Sequence, residues 1–328
     1  MRELLLLLCC YPFEEKNRDQ LSKLISEVRD WQKLVELINA HGIIALAAYN
    51  IKEAGLAKDV PEEAMAILEQ GYMKSVVRNL WLSERWKEVN TILTNAGIKH
   101  VLLKGMALEH TLYGSKGLRQ MNDNDILVKR EDALKAWHLL KQNGYSPGIL
   151  KSPLHTGIQL DIGKHLPSLY KDDYSVEIHH KLFRNEVSNS KSGEDPVDDA
   201  VEIEIGETKA WIISEKLQLN YLHNHYERHA SEGFCQLRLY ADIVLLDKTS
   251  DLSFPDEFIS DPQKGQNKKA QKQAYKITYK SIPKNKRLRF LTGDIFPTLQ
   301  WMKNRYKCNG MMAILHYPLR FWKLMWLV

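Results

Sequence analysis

Asp123 and Asp125 stand two residues apart, where a polar segment runs into the apolar Ile126-Leu127-Val128. Positions i and i+2 of a strand project from one face. The two carboxylates are therefore neighbours, with Cα atoms roughly 6–7 Å apart. Hard oxygens at that separation suit divalent cations, with Mg²⁺ the usual choice beside phosphates. A third carboxylate would complete a site for two ions. Glu177 is the candidate: in Tyr-Ser-Val-Glu-Ile-His-His, Val176 and Ile178 take one face while Glu177 and His179 take the other. His179 is then placed to contact phosphate or to orient the carboxylate. Upstream, apolar residues 101–103 end in Lys104-Gly105. A glycine turn that opens a helix aims free N–H groups at an anion. Lys104 can neutralise a phosphate as a point charge, and Arg119 can fork onto another. These groups suit phosphoryl or nucleotidyl transfer, in which catalysis is mainly positioning and charge stabilisation.

Elements must hold these residues in place, and the pattern changes along the chain in three steps. Residues 1–95 read as helices. Leu21, Leu24, Ile25 and Val28, then Trp31, Leu34, Val35 and Ile38, recur at helical spacing. Pro61 opens a long helix over 62–95, in which Gly71 is tolerated at a cost. Residues 96–205 read as strand, helix, strand, helix and hairpin. The strands are 100–103 and 124–128, and the hairpin pairs 165–170 with 174–179 about a Lys-Asp-Asp turn. That order predicts an α+β core with a small mixed sheet. Residues 186–199 read as a polar loop. Residues 206–328 return to helix, with an aromatic-rich tail. The expected architecture is an α+β core flanked by N-terminal and C-terminal helical regions.

Composition narrows the class. The chain has 328 residues, a net charge of +5 and four cysteines without CxxC spacing. This excludes a disulfide scaffold and a zinc ribbon, and suits a cytoplasmic protein with an anionic ligand. The apolar run near the N-terminus is too short and too poorly flanked for a signal peptide and reads as a buried first helix. Residues 311–328 are apolar but interrupted by His316, Pro318, Arg320 and Lys323. They predict a packed helix rather than a membrane span, with a weaker interfacial reading. The segment 225–229, HYERH, places its Glu off the shared His face and is no zinc-protease motif. Arg238 and Asp242 read as an i,i+4 helix pair. Residues 262–290 hold ten Lys or Arg and no acid. A solvated helix face is the first reading there, and RNA binding is possible but not favoured.

The segments LLKG, LYGSKGLRQMNDNDILV and VEIHHKL resemble the uncharacterised nucleotidyltransferase family of the DNA polymerase β-like superfamily. The likeness extends to the Trp31 segment with His41-Gly42, to YLHNHYERH, to RLYADI and to IFPTLQWMKNRY. The resemblance implies that Asp123 and Asp125 bind two Mg²⁺ ions. It implies that Glu177 binds the catalytic ion and helps deprotonate an acceptor hydroxyl, and that Lys104 and Gly105 hold NTP phosphates. The expected reaction moves NMP from an NTP to a small molecule, protein or RNA. In the wider superfamily Gly is followed by Ser or Gly, whereas Met106 follows Gly105 here. A catalytically silent nucleotide-binding protein and an RNA-end nucleotidyltransferase are therefore the alternatives.

Overall fold

The computed structural model describes residues 1–183, 195–250, 252–264 and 268–325, without the side chains of 268–272, 274 and 323–325. Most of the loop expected over 186–199 lies outside the described residues. The strands are β1 (His100–Leu103), β2 (Asn124–Val128), β3 (Ser146–Pro147), β4 (Leu169–Lys171), β5 (Tyr174–His179), β6 (Val201–Ile205) and β7 (Thr208–Ile212). They form one mixed sheet in the order β3-β4-β5-β2-β1-β7-β6. β4 and β5 are antiparallel, with Leu169 opposite Val176 and Lys171 opposite Tyr174. β6 and β7 make a second hairpin, and β7 lies parallel to β1. The fold is α+β, as the alternation of elements implies.

The helices are α1 (Arg2–Leu8), α2 (Arg18–Ser26), α3 (Trp31–Ala40), α4 (Ile44–Glu53), α5 (Glu62–Asn95), α6 (Lys104–Thr111), α7 (Ala133–Gln142), α8 (Thr156–Ile162), α9 (Glu215–Ser231), α10 (Leu237–Leu246), α11 (Lys268–Ser281), α12 (Lys284–Ile295), α13 (Leu299–Tyr306) and α14 (Gly310–Met325). Their ends follow local chemistry. Asp30 caps α3 by accepting from the Lys33 N–H at 2.9 Å. Gly42, at φ +69°, supplies the left-handed turn that lets α4 follow.

The chain divides into two compact units that interleave in sequence. The first comprises 1–88, 102–124 and 200–266; the second comprises 89–101, 125–199 and 267–328. This division follows spatial contact, whereas the three regions expected from sequence follow the order of elements along the chain. The boundary at 205 also falls at the turn of the β6–β7 hairpin. This hairpin was hidden because Thr208–Ile212 is too short and mixed to announce a strand.

The first unit is built on a large apolar core. It includes Leu4, Leu5 and Leu8 of α1, so the N-terminal apolar run is a buried helix. Gly71 of α5 is explained by the same core. A Cβ there would collide with the Ile44 side chain, so helix propensity is given up for close packing. In the second unit, Ile158, Ile282 and Phe290 form a smaller cluster with Tyr275 and Tyr279 against it. All four cysteines are free. Among the described residues, no helix is long and apolar enough to cross a membrane.

Candidate active site

β2 and β5 are neighbours in the sheet, and each alternates its side chains. On β5, Tyr174, Val176 and Ile178 are buried in the core, while Glu177 sits on the other face at an intermediate depth. His179 follows on the Glu177 face and is itself fully buried. On β2, Asp125 is 4% exposed. The ligand atoms of Asp125, Glu177 and His179 all lie within 4.8 Å of one another. Asp125 and Glu177, fifty-two residues apart in sequence, are thereby brought together by strand pairing.

The hydrogen bonds are specific. His179 Nε2 lies 2.7 Å from Asp125 Oδ1 and 3.6 Å from Glu177 Oε2. The first is a hydrogen bond and the second an electrostatic contact. Ser168 donates its hydroxyl to Glu177 Oε1 at 2.7 Å, and His165 Nε2 sits 3.8 Å from Glu177 Oε2. Burial pushes the Glu177 carboxyl up, and the Asp125 charge does the same. The contact with His179 and the positive character of His165 and His179 outweigh both, and Glu177 is lowered to about 2. Burial likewise pushes His165 down. His179 Nδ1 is buried with no hydrogen-bond partner among the described residues. A donor bond to the Asp125 carboxylate places a proton on Nε2.

The other expected residues are placed differently. Asp123 stands one position before β2, half-buried, and outside the three-residue cluster. Lys104 is the first residue of α6 and adopts φ +47°, a left-handed conformation uncommon outside glycine. Gly105 is buried. A Cβ on it would lie 2.8 Å from Arg119 Nη1 and 2.9 Å from Met121 Sδ, so the missing side chain accommodates these two residues. Arg119, expected at a phosphate, is turned inward. Its Nε and Nη2 fork onto Asp242 at 3.0 and 2.8 Å, and both residues are buried. Tyr113 donates to the same carboxylate at 2.9 Å. Glu109, also buried, accepts from the backbone N–H of Arg119 at 3.0 Å and from that of Gly117.

Asp242 thus pairs with Arg119, where Arg238 was expected. Arg238 instead donates to the Gln120 carbonyl at 2.7 Å. Burial and then the Arg119 charge push Arg238 down to about 10, with Asp242 and Asp123 opposing. Glu109, Asp242 and Ser168 were not singled out as site residues from sequence. The usable signal was a single acid inside an otherwise apolar helix: Glu109 after Met106-Ala107-Leu108, and Asp242 before Ile243-Val244-Leu245.

Neighbouring strands of an α+β sheet thus gather two carboxylates and an imidazole, ligand types that could hold a metal ion. Residues 27–277 match the model of a family described as uncharacterised nucleotidyltransferase. The match covers well over half of the chain, and the chain belongs to that family. No curated protein and no solved structure matches it.

Proposed function

We propose that this protein is a Mg²⁺-dependent nucleotidyltransferase that moves NMP from an NTP to a hydroxyl, with pyrophosphate leaving. The observation that carries this reading is the meeting of Asp125, Glu177 and His179 within 4.8 Å. The donor set fits a hard divalent cation. Asp125 and Glu177 each offer a carboxylate, and Glu177 is ionised throughout the physiological range. These two residues would hold the metal, with Asp123 as the further carboxylate of a two-ion site. A bound cation supplies charge stabilisation at the reacting phosphate.

His179 serves this site as a positioning residue. As a ligand, its Nε2 would have to give up the proton it donates to Asp125. The proton would then sit on Nδ1, which is buried with no acceptor among the described residues. Leaving a buried N–H unsatisfied costs about 1–3 kcal/mol. Holding Asp125 in place costs nothing of that kind. Glu177 is a weak base when lowered to about 2, so its charge, rather than proton abstraction, is its contribution. Lys104 and the amino end of α6 are assigned to the phosphates of the NTP. The left-handed Lys104 supports that assignment, because strained backbone of order 1–3 kcal/mol tends to be kept where a ligand is gripped.

The test pairs calorimetric titration of NTPs, with and without Mg²⁺, with transfer of label from the α-phosphate to the components of a cell extract. Metal-dependent NTP binding and a labelled acceptor are expected. In the variant Asp125→Asn with Glu177→Gln, transfer should fall by at least about 100-fold. NTP binding without transfer would instead identify a silent nucleotide-binding protein. Label confined to RNA ends would identify an RNA-end enzyme.

A further inference from the structure

The C-terminal helices carry a charge and an apolar face that the candidate active site does not use. Residues 262–328 hold fifteen Lys and Arg against one acid, Asp294, which is buried. The preceding residues hold 31 Lys and Arg against 40 Asp and Glu. The basic balance of the whole chain is therefore created by this segment alone. The family match ends at residue 277, so α12, α13 and α14 lie outside the matched span.

α14 is turned the opposite way from an ordinary surface helix. The residues it directs toward the protein are Ala313, His316, Tyr317 and Arg320. Tyr317 donates to the Pro297 carbonyl at 2.6 Å, and Arg320 Nε donates to the Asp294 carbonyl at 2.5 Å. His316 stacks on Tyr306 with ring centroids 4.1 Å apart. Its outward arc is Met311, Ile314, Leu315, Leu319, Phe321 and Trp322; Leu315 is 65% and Trp322 61% exposed. At about 100° per residue this arc spans roughly half the circumference and contains no charge. A surface helix normally sends its apolar stripe to the core. Here specific bonds fix the polar stripe inward and leave the apolar stripe in water. Lys303, Arg305 and Lys307, on the preceding helix and its C-terminal turn, are exposed cations a few residues before it in sequence.

We infer that this face docks on an anionic lipid surface. α14 lies in the plane of the interface, with its apolar arc at the acyl boundary and the neighbouring Lys and Arg over the headgroup phosphates. Charge selects this occupant. A second copy would bring two strongly cationic surfaces together. A nucleic acid would use the cations but not a broad aliphatic arc. The sequence had predicted a packed helix here; the packing exists, but it is made by the polar stripe.

The test is co-sedimentation of the full chain with vesicles of phosphatidylcholine alone, or mixed with phosphatidylglycerol. Binding to the anionic vesicles should be at least about tenfold stronger, and should weaken as salt rises. Leu315→Glu with Leu319→Glu should remove it while leaving the thermal midpoint unchanged, because both side chains face solvent. Absence of binding to anionic vesicles, or equal binding to neutral ones, would overturn the inference. So would a dimer, seen by light scattering, that the same variant dissolves with no vesicle binding. Binding of single-stranded RNA in place of vesicles, unaffected by the two Glu substitutions, would overturn it as well.

Discussion

Two of the buried charge clusters among the described residues are built on opposite rules. Around Arg119 the charges match: one guanidinium forks onto Asp242, Tyr113 donates to that same carboxylate, and Glu109 takes up backbone N–H groups. Around Glu177 they do not match. Glu177 accepts from Ser168, His179 bonds Asp125, and the two carboxylates destabilise each other's charge. The first network holds backbone in place, whereas the second sets two carboxylates side by side. The difference separates a cluster of matched charges from one of paired carboxylates, although both contain Asp and Glu away from solvent.

The largest effect expected from this contrast is in the saturated cluster. Asp242→Ala leaves Arg119 buried without its carboxylate and should cost about 3–5 kcal/mol in urea unfolding. Adding Arg119→Met should recover much of that loss, since the unpaired charge is what destabilises. A loss in the single variant no larger than for a surface substitution would erase the distinction. The pair of like charges predicts the reverse. Without metal, Asp125→Asn removes a like charge from beside Glu177, and stability should stay within about 1 kcal/mol of wild type or rise. A collapse of the fold on that substitution would place Asp125 among the structural groups.

A smaller and independent effect concerns His41. Its ring is buried, with Nε2 donating to the Ile259 carbonyl at 3.0 Å and Nδ1 accepting from the Leu237 N–H at 3.3 Å. Burial pushes its pKa down, so the native state prefers the neutral ring. The unfolded chain takes up the proton first as pH falls below about 6.5. Stability from His41 is therefore full above that pH and is lost below it. His41→Asn should flatten this part of the pH profile of the urea midpoint, and an unchanged slope would remove His41 from the account.

What could be read from the sequence follows from how far each signal reaches. Alternation in Val-Glu-Ile-His fixed the face of Glu177 and His179, and the short apolar run after Asn124 fixed that of Asp125. The helix over Glu62–Asn95 was legible because its pattern continues without proline. The motif order was sufficient to identify the family. Which carboxylates actually meet was beyond local pattern, because β2 and β5 become neighbours only through the sheet order. The same holds for Arg119. Its type suited a phosphate, but a guanidinium goes to the nearest buried carboxylate, and Asp242 lies more than a hundred residues away in sequence. Gly105 looked like a turn glycine and is a packing glycine, because what a missing Cβ makes room for is decided by neighbours. α14 makes the point most directly. Its sequence determined that one face is apolar, and only the bonds of Tyr317 and Arg320 decided that this face would point outward.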